Sequence, residues 1–157
     1  MNYKEYQKAL KAIDKKYNGK RKAVYDLIQK IEHQALKDGR IYPDDKKRLD
    51  DLYKEAEFLK DKQGRSIERL KMNFISENAK VKTGDIIWAV KKGTTKVMRV
   101  EYAKLSAFEY PMLKYFGTQL TLYGQPCKKQ LEHPKGGIYE KDITSINGEP
   151  FEYKILK

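Results

Sequence analysis

The sequence predicts an α+β protein, a long antiparallel helical hairpin followed by a small, mainly antiparallel β-barrel or curled sheet. Three observations carry this reading. Apolar residues recur at steps of three and four from Tyr6 to Phe74. Around Glu77-Asn78-Ala79-Lys80 that period gives way to alternation. Gly turn signals then punctuate short runs rich in Val, Ile, Tyr and Thr, the last of them at Asn147-Gly148. The expected domains are residues 1–79, a coiled-coil-like hairpin, and residues 80–157, a small β domain.

The first helix is expected over residues 2–38, with a seam of Tyr6, Leu10, Ile13, Tyr17, Val24, Leu27, Ile31 and Ala35. Lys20 fills the slot between Tyr17 and Val24. Gly39 follows the last periodic residue, where a helix tends to end in a left-handed glycine. Pro43 suits the first turn of the next helix, and Asp44 and Asp45 favour the positive end of its dipole. The second seam runs Leu49, Leu52, Ala56, Leu59, Gln63, Ile67, Leu70 and Phe74.

Each arm of about 35 residues spans about 50 Å. The short connection near residue 40 folds the arms back on each other, with residue i level with about 81 − i. Gly19 and Gly64 then sit at one height. Each costs about 1 kcal/mol relative to Ala inside a helix. They mark a shared break, a close approach of backbone or ligand, or plain surface glycines.

The β region opens with a hairpin, Asp85 to Val90 and Lys96 to Tyr102, turning at Lys92-Gly93-Thr94. Further strands are expected at Met112 to Phe116, at Gln119 to Tyr123 and at Ile138-Tyr139. The segment Ile143 to Tyr153 closes the unit as a hairpin, and Ala103 to Lys114 reads as a long insertion.

The net charge is +12 over 157 residues, and charged residues make up 36%. Such a chain attracts polyanions, nucleic acid above all. Leu, Ile, Val and Phe are about 22% of the chain, enough for a thin core helped by 12 tyrosines. No apolar run has the roughly 18 residues a membrane span needs, and the first residues lack the apolar segment of a secretory signal. Cys127 is the single cysteine, which fits a reducing interior. The expectation is a cytoplasmic protein without a membrane association.

Catalytic chemistry is poorly supplied, so no enzyme and no cofactor is expected. His33 lies between Glu32 and Gln34 on a helix, and Cys127 and His133 lack an orienting third group. One cysteine and two distant histidines build no four-ligand zinc site. The neighbours Asp44-Asp45 and Asp50-Asp51 diverge on a helix instead of converging on one atom.

Basic residues offer more. In the hairpin register Lys15, Lys16, Lys20, Arg21 and Lys22 stand opposite Lys60, Lys62, Arg65 and Arg69, partly offset by Asp14, Asp61 and Glu68. These nine cations form a mid-hairpin band suited to a phosphate backbone. In the β domain Lys91, Lys92, Lys96, Arg99, Lys128 and Lys129 lie near Trp88, Tyr115 and Tyr123. Aromatic rings beside cations are the pattern that stacks unpaired bases, and it is also the pattern of rings filling a thin core.

Lys82-Thr83-Gly84-Asp85-Ile86-Ile87, a Gly turn, and Lys96-Val97-Met98-Arg99-Val100 resemble the opening of SH3-like small barrels of the KOW and Tudor type. That resemblance implies a fold that commonly binds RNA, DNA or peptides, and it carries over no functional residue. In general type the chain is also similar to small phage or mobile-element inhibitors such as anti-CRISPR proteins.

Three functions compete. The first is a non-catalytic binder of RNA or DNA, RNA favoured, or of a nucleic-acid–protein complex. The second is an inhibitor of a nucleic-acid-guided defence nuclease. The third is an assembly protein that oligomerises, as a homodimer for instance, through the helical seams, with Lys20 and Gln63 fixing register.

Overall fold

The computed structural model describes residues 1–107, 111–127 and 137–154. Two helices precede a six-stranded, all-antiparallel sheet. Helix α1 runs Tyr3–Asp38 and α2 runs Pro43–Asn78, 36 residues each. Gly39 takes φ +66° and stops α1. The Lys46 N–H donates to the Tyr42 carbonyl at 2.9 Å and starts α2. Among the described residues no helix is long and apolar enough to cross a membrane.

The chain forms two compact units, residues 5–71 and residues 1–4 together with 72–157. In the first, Val24 and Ile28 of α1 close on Leu49, Leu52, Ala56 and Leu59 of α2, flanked by Tyr17 and Ile31. Burying such side chains contributes about 1.5–3 kcal/mol each. Polar contacts take over farther from the loop. Gln63 Nε2 donates to Asp14 Oδ1 at 2.8 Å, and the Tyr17 and Ser66 hydroxyls meet at 3.3 Å. Nearer the loop, the Tyr53 hydroxyl donates to Glu32 Oε1 at 2.7 Å. Each pairing lies within about one turn of the level the loop length predicts.

Three expectations are corrected here. Both helices run unbroken through Gly19 and Gly64, and a Cβ built on either would meet nothing within 4 Å. They mark neither a break nor a close approach of backbone; both are exposed surface glycines. The slot between Tyr17 and Val24 belongs to half-buried Arg21, while Lys20 is exposed, because steps of four and three keep the stripe on its partner. One turn on, Ile28 is 3% exposed and Leu27 39%, so Ile28 is the seam residue.

The sheet order is β4-β3-β2-β1-β5-β6. The strands are β1 (Ile86–Lys91), β2 (Thr94–Ala107), β3 (Pro111–Leu120), β4 (Ile138–Tyr139), β5 (Ile143–Ile146) and β6 (Glu149–Pro150). A 3₁₀ turn, Glu140–Asp142, joins β4 to β5. In a flat sheet those two strands would stand four spacings, about 19 Å, apart. Three 3₁₀ residues advance only about 6 Å. The sheet is therefore strongly curled, though not closed.

Its concave side holds Val81, Ile87, Ala89, Met98, Val100, Leu113, Tyr115, Ile138 and Ile143, with Ile75 and Ala79 packed against them. Phe74 is fully buried and meets the Tyr3 ring edge-on at 6.3 Å.

The expected insertion at Ala103 to Lys114 is instead the extension of β2 and β3 into a long ribbon, residues 108–110 lying outside the described residues. The two strands expected between Met112 and Tyr123 are one strand, β3, continuous through Gly117. Gly117 lies opposite Val100 beside a bulge, and a Cβ there would come within 2.0 Å of the Arg99 carbonyl oxygen. Glycine is needed for that approach, and it does not turn the chain.

The Gly84-Asp85 pair ties the first strand to the last turn. Asp85 accepts from the Lys82 N–H at 2.7 Å and from Asn147 Nδ2 at 2.8 Å, and Asn147 Oδ1 accepts from the Ile86 N–H at 2.8 Å. The Lys82 amide, then Asn147, hold the Asp85 carboxyl below the usual carboxylate range.

Candidate functional site: two cationic surfaces

The hairpin does not carry its nine cations as a ring. Lys16 and Lys20 lie one turn apart on one flank of the α1 seam, and Lys62, Arg65 and Arg69 follow at helical spacing on α2. Their charges on Tyr17 fix Lys16, Lys20 and Lys62 on the same side of the pair, and helical spacing carries Arg69 there with Lys62. The Tyr17 phenol is held below its ordinary value by the Ser66 hydrogen bond first, then by the charges of Lys16, Lys62 and Lys20 against the opposing effect of burial. The Lys62 ammonium lies 4.4 Å from the ring centroid of Phe58, which is 55% exposed, and Lys16 lies 5.6 Å from that of Tyr17.

The acids lie elsewhere around the helices. Asp14 is drawn to Gln63 on the other flank, the flank where Tyr53 and Glu32 bond. The Glu32 hydrogen bond first, then burial and the Glu32 charge, push the Tyr53 phenol up, the reverse of Tyr17. Asp61 and Glu68 border Arg65 on the far side of α2, and Glu68 pairs with Lys71 at 3.3 Å. Among the described residues none of Lys16, Lys20, Lys62, Arg65 and Arg69 forms an ion pair, and all five are exposed. Lys16, Lys20, Lys62 and Arg69 turn their field to solvent, while Arg65 has Asp61 and Glu68 beside it.

The other four basic residues expected in the band are not brought into this face. Lys15 and Lys22 are exposed on the outer side of α1, in a stripe with Lys8 and Lys11. Lys60 lies on the flank opposite Lys62. Arg21 sits at the seam edge, donating to Asn18 Oδ1 at 2.8 Å.

The second surface is on the convex side of the sheet. The bulge after Val100 sets Tyr102 opposite Phe116. Without the extra residue Tyr102 would face the concave core. The two rings stack with centroids 5.1 Å apart and planes 10° from parallel. On the next rung Lys104 stands opposite Lys114, and Lys114 opposite Tyr139. The Lys104 ammonium lies 5.5 Å and 5.7 Å from the Tyr102 and Phe116 rings. Lys114 lies 5.3 Å from Phe116 and 4.9 Å from Tyr139, and Lys91 lies 5.9 Å from Tyr139.

Of the residues expected in the β domain, only Lys91 comes near this cluster: it follows core residues Ile87 and Ala89 at alternate positions along β1 and reaches Tyr139 alone. Tyr115 is fully buried, its hydroxyl donating to Glu140 Oε1 at 3.2 Å, so it cannot stack on a ligand. Trp88 is half-buried and stands opposite buried Val97. Lys92 adopts φ +51° in the β1–β2 turn, Lys96 is half-buried, and Arg99 and Tyr123 are exposed. Lys128, Lys129 and His133 lie outside the described residues. Sequence reasoning missed Tyr102, Phe116, Tyr139, Lys104 and Lys114. Alternation alone, without the bulge, assigns Tyr102 to the wrong face.

Comparison with known proteins finds no matching family model, no similar curated protein and no similar solved structure.

Proposed function

We propose that this chain is a non-catalytic nucleic-acid-binding protein, with RNA as the favoured partner, free or within a ribonucleoprotein. The observation that carries this reading is the one-sided placement of Lys16, Lys20, Lys62 and Arg69, with Arg65 at its edge. Between Ala12 and Lys20 and between Phe58 and Arg69, no acid shares that face. Gathering like charges without counter-charges costs stability. A phosphate backbone offsets that cost by releasing condensed counterions as it binds. The partly exposed aromatics beside lysines on the sheet, and the resemblance of segment 82–100 to the opening of SH3-like barrels, support the same partner class.

The test compares two quadruple glutamine variants with equal loss of charge. One changes Lys16, Lys20, Lys62 and Arg69, and the other Lys8, Lys15, Lys22 and Lys60. RNA binding at fixed moderate salt should fall about tenfold further in the first variant than in the second. Equal losses would reduce the attraction to net charge and remove the role of this face.

A further inference from the structure

We infer that the convex face of the sheet, around Tyr102, Phe116 and Tyr139, is a stacking platform for unpaired bases of a single-stranded nucleic acid. The inference rests on the nucleic-acid reading above and names its substrate class.

Lys104 and Lys114 stand directly opposite each other on neighbouring strands, a pairing that ordinarily destabilises a sheet. Among the described residues no carboxylate pairs with either of them or with Lys91. What holds the three ammonium groups is aromatic: each lies within 6 Å of at least one ring centroid. Cation–π attraction at such exposed sites amounts to about 0.5–1 kcal/mol, weak enough for a better partner to displace it.

A phosphate is that partner. When Lys104 swings from Tyr102 to a phosphate oxygen, it uncovers a ring already 42% exposed, and a base can take its place. The ring supplies a sequence-tolerant π face and the lysines supply backbone charge, the combination that single strands require. A duplex keeps its bases stacked internally and has no face to offer the ring. An acidic peptide would engage the lysines and gain nothing from the ring.

The test measures binding of fluorescein-labelled oligouridine RNA of about twelve nucleotides, a length within the usual single-strand site size, to the full chain. Duplex RNA of equal length, inorganic polyphosphate and oligoglutamate serve as comparisons. Replacing Tyr102 and Phe116 together by Leu should weaken oligouridine binding about tenfold or more, leaving duplex and polyphosphate binding within about twofold. Tyr102→Phe should bind as the parent does. A parallel readout on the unaltered protein guards against a misfolded variant. Oligomers carrying 5-iodouridine should photo-crosslink to Tyr102, Phe116 or Tyr139.

Loss of oligouridine and polyphosphate binding to the same extent would overturn the platform, as would crosslinks confined to the hairpin. So would oligoglutamate displacing RNA from the parent but not from the leucine variant. Parent binding that is steeply salt-dependent yet indifferent to the rings would sink the platform alone. A parent that binds no nucleic acid would sink both readings.

Discussion

Glu140 is 2% exposed at the heart of the β unit, and its carboxyl is pushed above the ordinary range chiefly by that burial. The Tyr115 hydrogen bond and the Lys80 charge pull the other way. Burial, with Glu140 alongside, drives the Tyr115 phenol far above its usual value. A raised carboxyl pKa means that the folded protein binds the proton more tightly than the unfolded chain does. Its contribution is therefore fully present below the unfolded pKa and is lost as pH rises through the folded one. Glu140→Gln keeps the acceptor for the Tyr115 hydroxyl and removes the titration. It should raise the melting temperature at pH 7.5 by about 2–4 °C and have little effect near pH 4. Thermal melts of both proteins across that range check it, and parallel curves would refute the assignment.

At the same scale, the Gly84-Asp85 pair was visible in the sequence as the opening of a strand. Its bonds to Lys82 and Asn147 were not, because the last partner lies 62 residues along the chain.

At the scale of elements, the hairpin was almost fully legible. Period, loop and caps are local properties, and the contacts at Asp14, Tyr17 and Glu32 fall near the expected register. What local reasoning could not decide was which of two adjacent residues faces the partner, as with Leu27 and Ile28, or Lys20 and Arg21. That choice needs the second helix. Gly19 and Gly64 point the same way, since the sequence leaves a break and plain surface glycines both open and the continuous helices show no break. Because a Cβ there meets nothing within 4 Å, Gly19→Ala and Gly64→Ala should each stabilise the protein by about 0.5–1 kcal/mol. Urea unfolding of the single and double variants measures this, and near-additive gains are expected. A loss at either position would show that the glycine has a role the fold does not display. The ribbon was the least legible element. Gly117 read as punctuation, whereas it lets a bulge pass, and the bulge in turn decides where Tyr102 points.

At the scale of the whole molecule, a charge of +12 says that polyanions are attracted and not where they bind. The structure sorts the charge. In the hairpin unit five exposed cations gather on one side while Asp14, Asp61 and Glu68 lie elsewhere. In the sheet unit Lys91, Lys104 and Lys114 lie over the rings of Tyr102, Phe116 and Tyr139. Neither grouping follows from composition, and the first follows from periodicity only once it is known which flanks of the two seams adjoin.

The central claim is that the hairpin face binds a phosphate backbone, and the salt dependence of binding tests it most directly. Affinity for single-stranded RNA should be measured for the parent chain and for the variant with Lys16, Lys20, Lys62 and Arg69 changed to Gln. Each phosphate neutralised on a single strand contributes about −0.7 to the slope of log affinity against log salt. The parent slope should be about −3 or steeper, and the variant should lose most of it. A shallow parent slope, or one that the four substitutions leave unchanged, would contradict the account.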